Sequence, residues 1–307
     1  MSDLALSITQ PVQLTDAMLI STDIPENDYA AWSAGTTYAL GDRVIMTSTH
    51  TIYESLQASN VGKDPATNST WWIAVSPTNR WKAFDYSNST QTVTAGGANP
   101  KISYTIRAGE AVSSVAVLNV DNATSLLLKL TDPVYGVVYN RTVDFSPLPR
   151  QPDWWSWFFG QKITPTQYVA NDVPAYPNAD LLVQLSGNSS LAVGVIMFGQ
   201  QKNFGLGVSY GARVGIQDYS VKQTNEFGDT TLLVRAFAKR ANFSLLVEKA
   251  ETDALQNFLA EVRAVPCLWV GSTEYESTTL FGFYKNFDVL ISYPQHSECE
   301  LEIEGLT

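Results

Sequence analysis

The sequence predicts a mainly β protein made of three successive units: a small three-stranded aromatic module, an antiparallel β-sandwich, and a β-rich domain with one helix. Three observations lead there. Only 16% of the 307 residues are charged, while Thr, Ser, Val, Tyr and Trp are plentiful, a composition that suits pleated, half-buried surfaces better than helices. Short alternating or solidly apolar runs recur between Gly, Asn and Asp punctuation, as antiparallel strands do. One stretch alone carries the period of an amphipathic helix.

Taken in order, residues 1–25 form an N-terminal arm or lead-in strand ending at Pro25. Residues 26–79 form the aromatic module, closed by "SPTNR", where Pro77 disfavours helix in the residue before it. Residues 80–204 supply the sandwich strands "ISYTIRAG", "AVSSVAVLNV", "TSLLLKLTD", "GVVYNRTVDF", "LLVQLSG" and "LAVGVIMFG". A long loop, "PLPRQPDWWSWFFGQ", interrupts them with Trp154, Trp155, Trp157, Phe158 and Phe159. Residues 205–307 open with "GLGVSYGARVGIQDYS", and "TTLLVRAFAKRANFSLLVEK" gives two strands with a turn at Lys239 to Asn242. The helix covers "ETDALQNFLAEVRA", with Thr252 or Glu251 as cap and Ala254, Leu255, Phe258, Leu259 and Val262 on one face. Strands "VPCLWVG", "LFGFYKNFDVLISY" and "ECELEIEGL" finish the chain.

Composition and motifs exclude several function classes. A net charge of −11 disfavours nucleic acid, because phosphate contacts need clustered cations. No window approaches the ~18–20 apolar residues of a spanning helix, so no membrane insertion is expected. The N-terminus lacks the basic and apolar regions of a secretory signal. The six Asn-X-Ser/Thr sequons, at Asn68, Asn88, Asn122, Asn140, Asn188 and Asn242, are then read as turns. Cys267 and Cys299 are either bridged or free, and a reducing cytosol favours free thiols.

Catalytic devices are equally sparse. His50 in a hairpin and His296 in a polar loop are expected at the surface, without the orienting partners of a catalytic base. Two cysteines 32 residues apart with one intervening His do not make a zinc cluster. Asp132, Asp144 and Asp153 lie at strand ends or in loops. Glu298, Glu300, Glu302 and Glu304 alternate along one strand face, a solvated or subunit-facing edge. No Gly-rich phosphate loop opens a helix. The chain is therefore expected to be a non-enzyme with no cofactor and no metal.

Residues 30–75 carry the most specific pattern. Trp32, Tyr38, Gly41-Asp42, Val44-Ile45, Tyr53, Gly62-Lys63-Asp64-Pro65 and Trp71-Trp72 follow one another in the order and spacing of small chitin-binding modules. The stretch resembles carbohydrate-binding families five and twelve. The resemblance implies a glycan surface of Trp32, Tyr38, Tyr53, Trp71 and Trp72, since a pyranose face stacks on an aromatic ring. Lys63 stands where chitin-binding relatives often place another aromatic. A second role is open for the same residues, as the large side chains a unit of this size needs for its core.

"PTNRWKAFD" after such a module, followed by a sandwich, resembles structural proteins of tailed bacteriophages. The plan of residues 205–307 is similar to that of distal-tail or tail-tip proteins, with Arg235 and Arg240 on strands and one helix. These resemblances imply a virion protein of the tail tip or baseplate, assembled in the host cytoplasm. It would form a homo-oligomeric ring joining the tail tube to hub or fibres, with the module facing outward. Trp154, Trp155, Trp157, Phe158 and Phe159 would then lie at an interface, or fold back over their own sandwich. The alternative is a receptor-binding adhesin docking on host-surface glycan.

Overall fold

The structure is a computed structural model that describes residues 5–306, apart from 88, 95, 98, 150–152, 210, 225, 273–274 and 292. The N-terminal segment supplies β1 (Leu6–Pro11) and β2 (Leu19–Thr22), and the module holds β3 (Arg43–Met46), β4 (Thr51–Ser55) and β5 (Trp72–Pro77). The middle of the chain supplies β6 (Thr92–Val93), β7 (Lys101–Ile106), β8 (Ser114–Asp132) and β9 (Gly136–Asp144). It continues with β10 (Leu148–Pro149), α1 (Trp154–Phe159), β11 (Lys162–Ile163), β12 (Tyr168–Ala170) and β13 (Asp180–Phe204). The C-terminal third begins with β14 (Gly207–Val208), β15 (Arg213–Asp218), β16 (Val221–Thr224), β17 (Thr230–Leu233) and β18 (Phe237–Glu248). It closes with α2 (Lys249–Glu261), β19 (Cys267–Val270), β20 (Thr279–Leu290) and β21 (His296–Gly305).

The protein is mainly β, with antiparallel sheets and one helix longer than two turns. A 14-stranded sheet runs through both the sandwich and the C-terminal unit, and the module keeps its own sheet in the order β3-β4-β5. Strand β1 is the seam. It pairs with β13 from Leu6↔Phe204 to Pro11↔Gly199, and on its other side with β19. Gly199 permits this approach, since a Cβ there would stand 2.1 Å from the Gln10 carbonyl oxygen. Leu6 and Ile8 are fully buried in the core of the C-terminal unit, beside Phe243, Leu259 and Trp269. The larger core fills the sandwich around Tyr104, Leu126, Phe145 and Phe198, and a third cluster of Met197, Leu268 and Phe281 joins the two.

Several expected boundaries move. "AVSSVAVLNV" and "TSLLLKLTD" are one strand, β8, and "LLVQLSG" and "LAVGVIMFG" are one strand, β13. Asn119 and Asn122 have left-handed φ values of 53° and 60° without ending β8. The β8–β13 ladder instead shifts register at Gly187, where Asn122 Nδ2 donates to the Ser190 carbonyl at 2.7 Å. Asn122 and Gly187 thus sit at a bulge, which bends a strand while keeping it paired. Sequon asparagines Asn140 and Asn242 lie inside strands β9 and β18, while Asn88 is outside the described residues. Lys239 to Asn242 sit in mid-strand, and the chain breaks instead between Leu233 and Phe237. Helix α2 has Glu248 as its N-cap, ahead of the expected Thr252 or Glu251, and buries Leu255, Phe258 and Leu259, leaving Ala254 exposed.

Candidate functional site

The module is built inward from one aromatic pair. Antiparallel register sets Val44 opposite Tyr53 and Ser55 opposite Trp72, so these four share a face of the small sheet. Trp72 is 2% exposed and Tyr38 is 8% exposed, meeting edge to face with centroids 5.2 Å apart. The Trp72 Nε1–H donates to the Lys63 carbonyl at 2.8 Å, which ties the "GKDP" turn to the core. Asp42 accepts from the Ala39 N–H and Asp64 from the Ala66 N–H, so both acidic residues of the motif fasten turns. Buried in this way, Tyr38 and Trp72 offer no ring face to a ligand, which corrects the expected platform. Trp32, Tyr53 and Trp71 are half-buried around the pair. Lys63 holds its ammonium 5.6 Å from the centre of the Trp71 ring, covering one face of it.

A second correction concerns His50. It lies at the β3–β4 turn with φ of 51° and joins the module to the body. Its side chain is 19% exposed, stacked on Trp81 with centroids 4.0 Å apart. Nδ1 lies 3.0 Å from Glu26 Oε1, and Nε2 lies 2.9 Å from Asp16 Oδ1 without hydrogen-bond alignment. Glu26, 7% exposed, also accepts from Thr78 Oγ1 at 2.8 Å and faces Arg80 at 3.6 Å. Arg80 in turn donates through Nε to the Ile24 carbonyl. These partners come from three separated stretches of chain, so no local motif announces them.

The aromatic loop contains a short helix. β10 and β11 pair as a stem, and α1 sits between them. Asp153 caps the helix, accepting from the Ser156 N–H at 2.9 Å and the Ser156 hydroxyl at 2.7 Å. Those bonds hold its carboxyl below the usual range. Trp154, Trp155, Trp157, Phe158 and Phe159 are each between 54% and 72% exposed, so the loop does not fold back as a lid over its own sandwich. Their closest ring contacts are with one another, Trp155 on Phe159 at 4.5 Å and Trp154 on Trp155 at 5.7 Å. Gln151 and Pro152 of the same loop lie outside the described residues.

The remaining candidates stay apart. Among the described residues no three His, Cys, Asp or Glu groups are placed to hold a metal. Cys267 and Cys299 are buried free thiols, and burial pushes Cys267 up to about 12. Asp132 and Asp144 accept backbone N–H groups of the turns that follow them, at Val134 and Ser146. Among the glutamates of β21, Glu304 accepts from the Tyr219 hydroxyl and pairs with Lys285. No helix among the described residues is long and apolar enough to cross a membrane. No family model, no curated protein and no solved structure matches the chain.

Proposed function

We propose that the chain is a structural virion protein of a bacteriophage tail tip or baseplate, forming a symmetric ring that joins the tail tube to hub or fibres. The observation that carries this reading is the uncovered helix α1. Five large aromatics exposed by more than half leave roughly 500–600 Å² of apolar surface in water, at the upper end for a monomer's largest patch. Aromatic clusters of this kind supply the buried centres of protein interfaces. The order of module, sandwich and one-helix β unit supports the tail assignment.

The test is assembly. Light scattering on the purified chain is expected to show a closed oligomer, and a gold-labelled copy should appear at the tail end of intact particles. A strict monomer together with particles that assemble tails without the protein would remove the reading. Trp155→Ala with Phe158→Ala should weaken the oligomer while leaving the far-ultraviolet spectrum unchanged.

A second reading, a host-glycan adhesin, rests on the partly exposed side chains of Trp32, Tyr53 and Trp71. It predicts that Trp71→Ala abolishes glycan binding in a folded module. If the wild-type chain binds no sugar of a broad glycan array, that reading ends.

A further inference from the structure

The C-terminal unit carries a concave counterpart to the projecting helix α1. Three hollows of about 350, 550 and 540 Å³ adjoin one another there. The first two share Gln167 and Lys239, and the last two share Val214 and Ser277, so together they form one trough. Leu206, Val214, Ile216, Phe237 and Tyr275 line it, each between 45% and 65% exposed. Large apolar side chains scattered singly over a surface need no explanation, but five gathered in one concavity mark a place of contact.

Polarity says what covers it. The six residues of α1, Trp154–Phe159, carry no charge, so seating them takes no ion out of water. The Ser156 hydroxyl already has its partner in Asp153. The three indole N–H groups need acceptors once buried, and Gln167, Glu276 and Ser277 offer them along the trough wall. The tip of the β16–β17 hairpin, the other apolar projection, is a poorer occupant. Glu226 and Asp229 stand on either side of Phe227 there, and an apolar trough would strip water from both carboxylates.

Size and placement agree. Helix α1 offers roughly 500–600 Å² of apolar surface, the larger part of the ~800 Å² that a stable interface takes from each partner. No residue of α1 lines any of the three hollows, so the chain does not fill its trough with its own helix. A second copy brings the same helix to it.

We propose that α1 of one copy seats in the trough of the next, its rings packed on Val214, Ile216 and Phe237. Each copy has one such helix and one such trough. The contact is therefore head to tail, the kind that closes into a ring when the rotation permits. It rests on the ring reading and names the surface that receives the aromatic helix.

Crosslinking between full-length copies tests it. Gln161→Cys, just past α1, and Ser277→Cys, on the trough wall, leave every apolar contact residue in place, and both positions are exposed. Cys267 and Cys299 are buried and out of reach of a short bismaleimide. Mixed copies carrying one change each are expected to link about ten-fold faster than Gln161→Cys mixed with Thr142→Cys, an exposed control on β9, because docking raises the effective concentration. Ile216→Asp, with native circular dichroism, should weaken association in sedimentation velocity by about ten-fold or more, as loss of a buried anchor does. An oligomer that forms without the mixed link, or that Ile216→Asp leaves unchanged, overturns the docking and leaves the ring reading standing. Gln161→Cys copies that link to one another as fast as the mixture also overturn it, and so does a chain carrying both changes that links only within itself. A wild-type chain that stays monomeric at every concentration overturns both.

Discussion

Replacing Trp72 by Ala tests whether the module's aromatics are its core or its binding face. Trp72 is 2% exposed and bonded through Nε1 to the Lys63 carbonyl. Truncating a buried Trp costs about 3–5 kcal/mol in transfer and cavity terms. Leaving the Lys63 carbonyl without its donor adds about 1 kcal/mol. Losing the edge contact with Tyr38 adds a further ~0.5–1.5 kcal/mol. The sum, roughly 5–7 kcal/mol, compares with the ~3–8 kcal/mol that holds a unit of fifty-odd residues. Trp72→Ala is therefore expected to unfold the module at 25 °C while the large sheet stays intact. Hydrogen exchange read by peptide mass would show it directly. Amides of β3, β4 and β5 should lose protection, and those of β8 and β13 should keep theirs. Trp71→Ala, at a half-buried position, should cost only about 1–2 kcal/mol and keep the module protected. If Trp72→Ala leaves β3–β5 protected and shifts stability by less than about 1 kcal/mol, the assignment of Trp72 to the core is wrong.

Other perturbations probe the rest of the molecule. Gly199→Val places a Cβ 2.1 Å from the Gln10 carbonyl oxygen and should cost about 2 kcal/mol or more by urea denaturation; an unchanged midpoint would contradict the Pro11↔Gly199 register. His50→Ala removes the ring stacked on Trp81 and one neighbour of the buried Glu26. It should speed proteolysis between the module and the sandwich and lower stability by about 1–3 kcal/mol, whereas unchanged cleavage would deny His50 its joining role. The thiols give a pH dependence. Burial raises Cys267 to about 12, above its unfolded value near 8.5, so the fold favours the neutral thiol. That contribution is complete below the unfolded value and declines as pH rises toward 12. Cys267 and Cys299 should react with a thiol reagent at pH 8 only after denaturant is added, and rapid reaction of the native chain would refute their burial.

Much of this fold is legible from alternation. The runs that became β7 and β21 show their buried faces in the residue order, and the helix shows Leu255, Phe258 and Leu259 at helical spacing. Strand continuity is not legible in the same way. Asn122 and Gly187 are residue types that also make turns, and only the partner strand decides that they become a bulge. The site was partly legible for a similar reason. The motif announces its aromatics without saying which ones turn inward, because burial depends on the Val44↔Tyr53 and Ser55↔Trp72 register. The His50 junction was invisible, since Asp16, Glu26 and Trp81 reach it from other parts of the chain. Helix α1 did carry a local sign, an Asp three residues before a Ser whose N–H it accepts.

The distribution of exposed apolar groups bears on assembly more than their amount does. Within the large sheet the strands that carry the core are enclosed: β1 lies between β13 and β19, and β18 between β21 and β14 with β15. Most of the long apolar strands β8 and β13 are buried along their length. Against that economy, α1 and the β16–β17 hairpin project aromatic and aliphatic side chains from stems that pair normally. A chain selected only to be a soluble monomer would replace such side chains at little cost, since surface substitutions usually change stability by under about 0.5 kcal/mol. Their presence on two separate projections supports two distinct contact surfaces per copy. One contact suffices for a ring, because a head-to-tail surface is used once by each neighbour. In the proposed ring that surface is the aromatic helix, so Trp155→Ala with Phe158→Ala should weaken the oligomer, while changes confined to the hairpin should leave it in place.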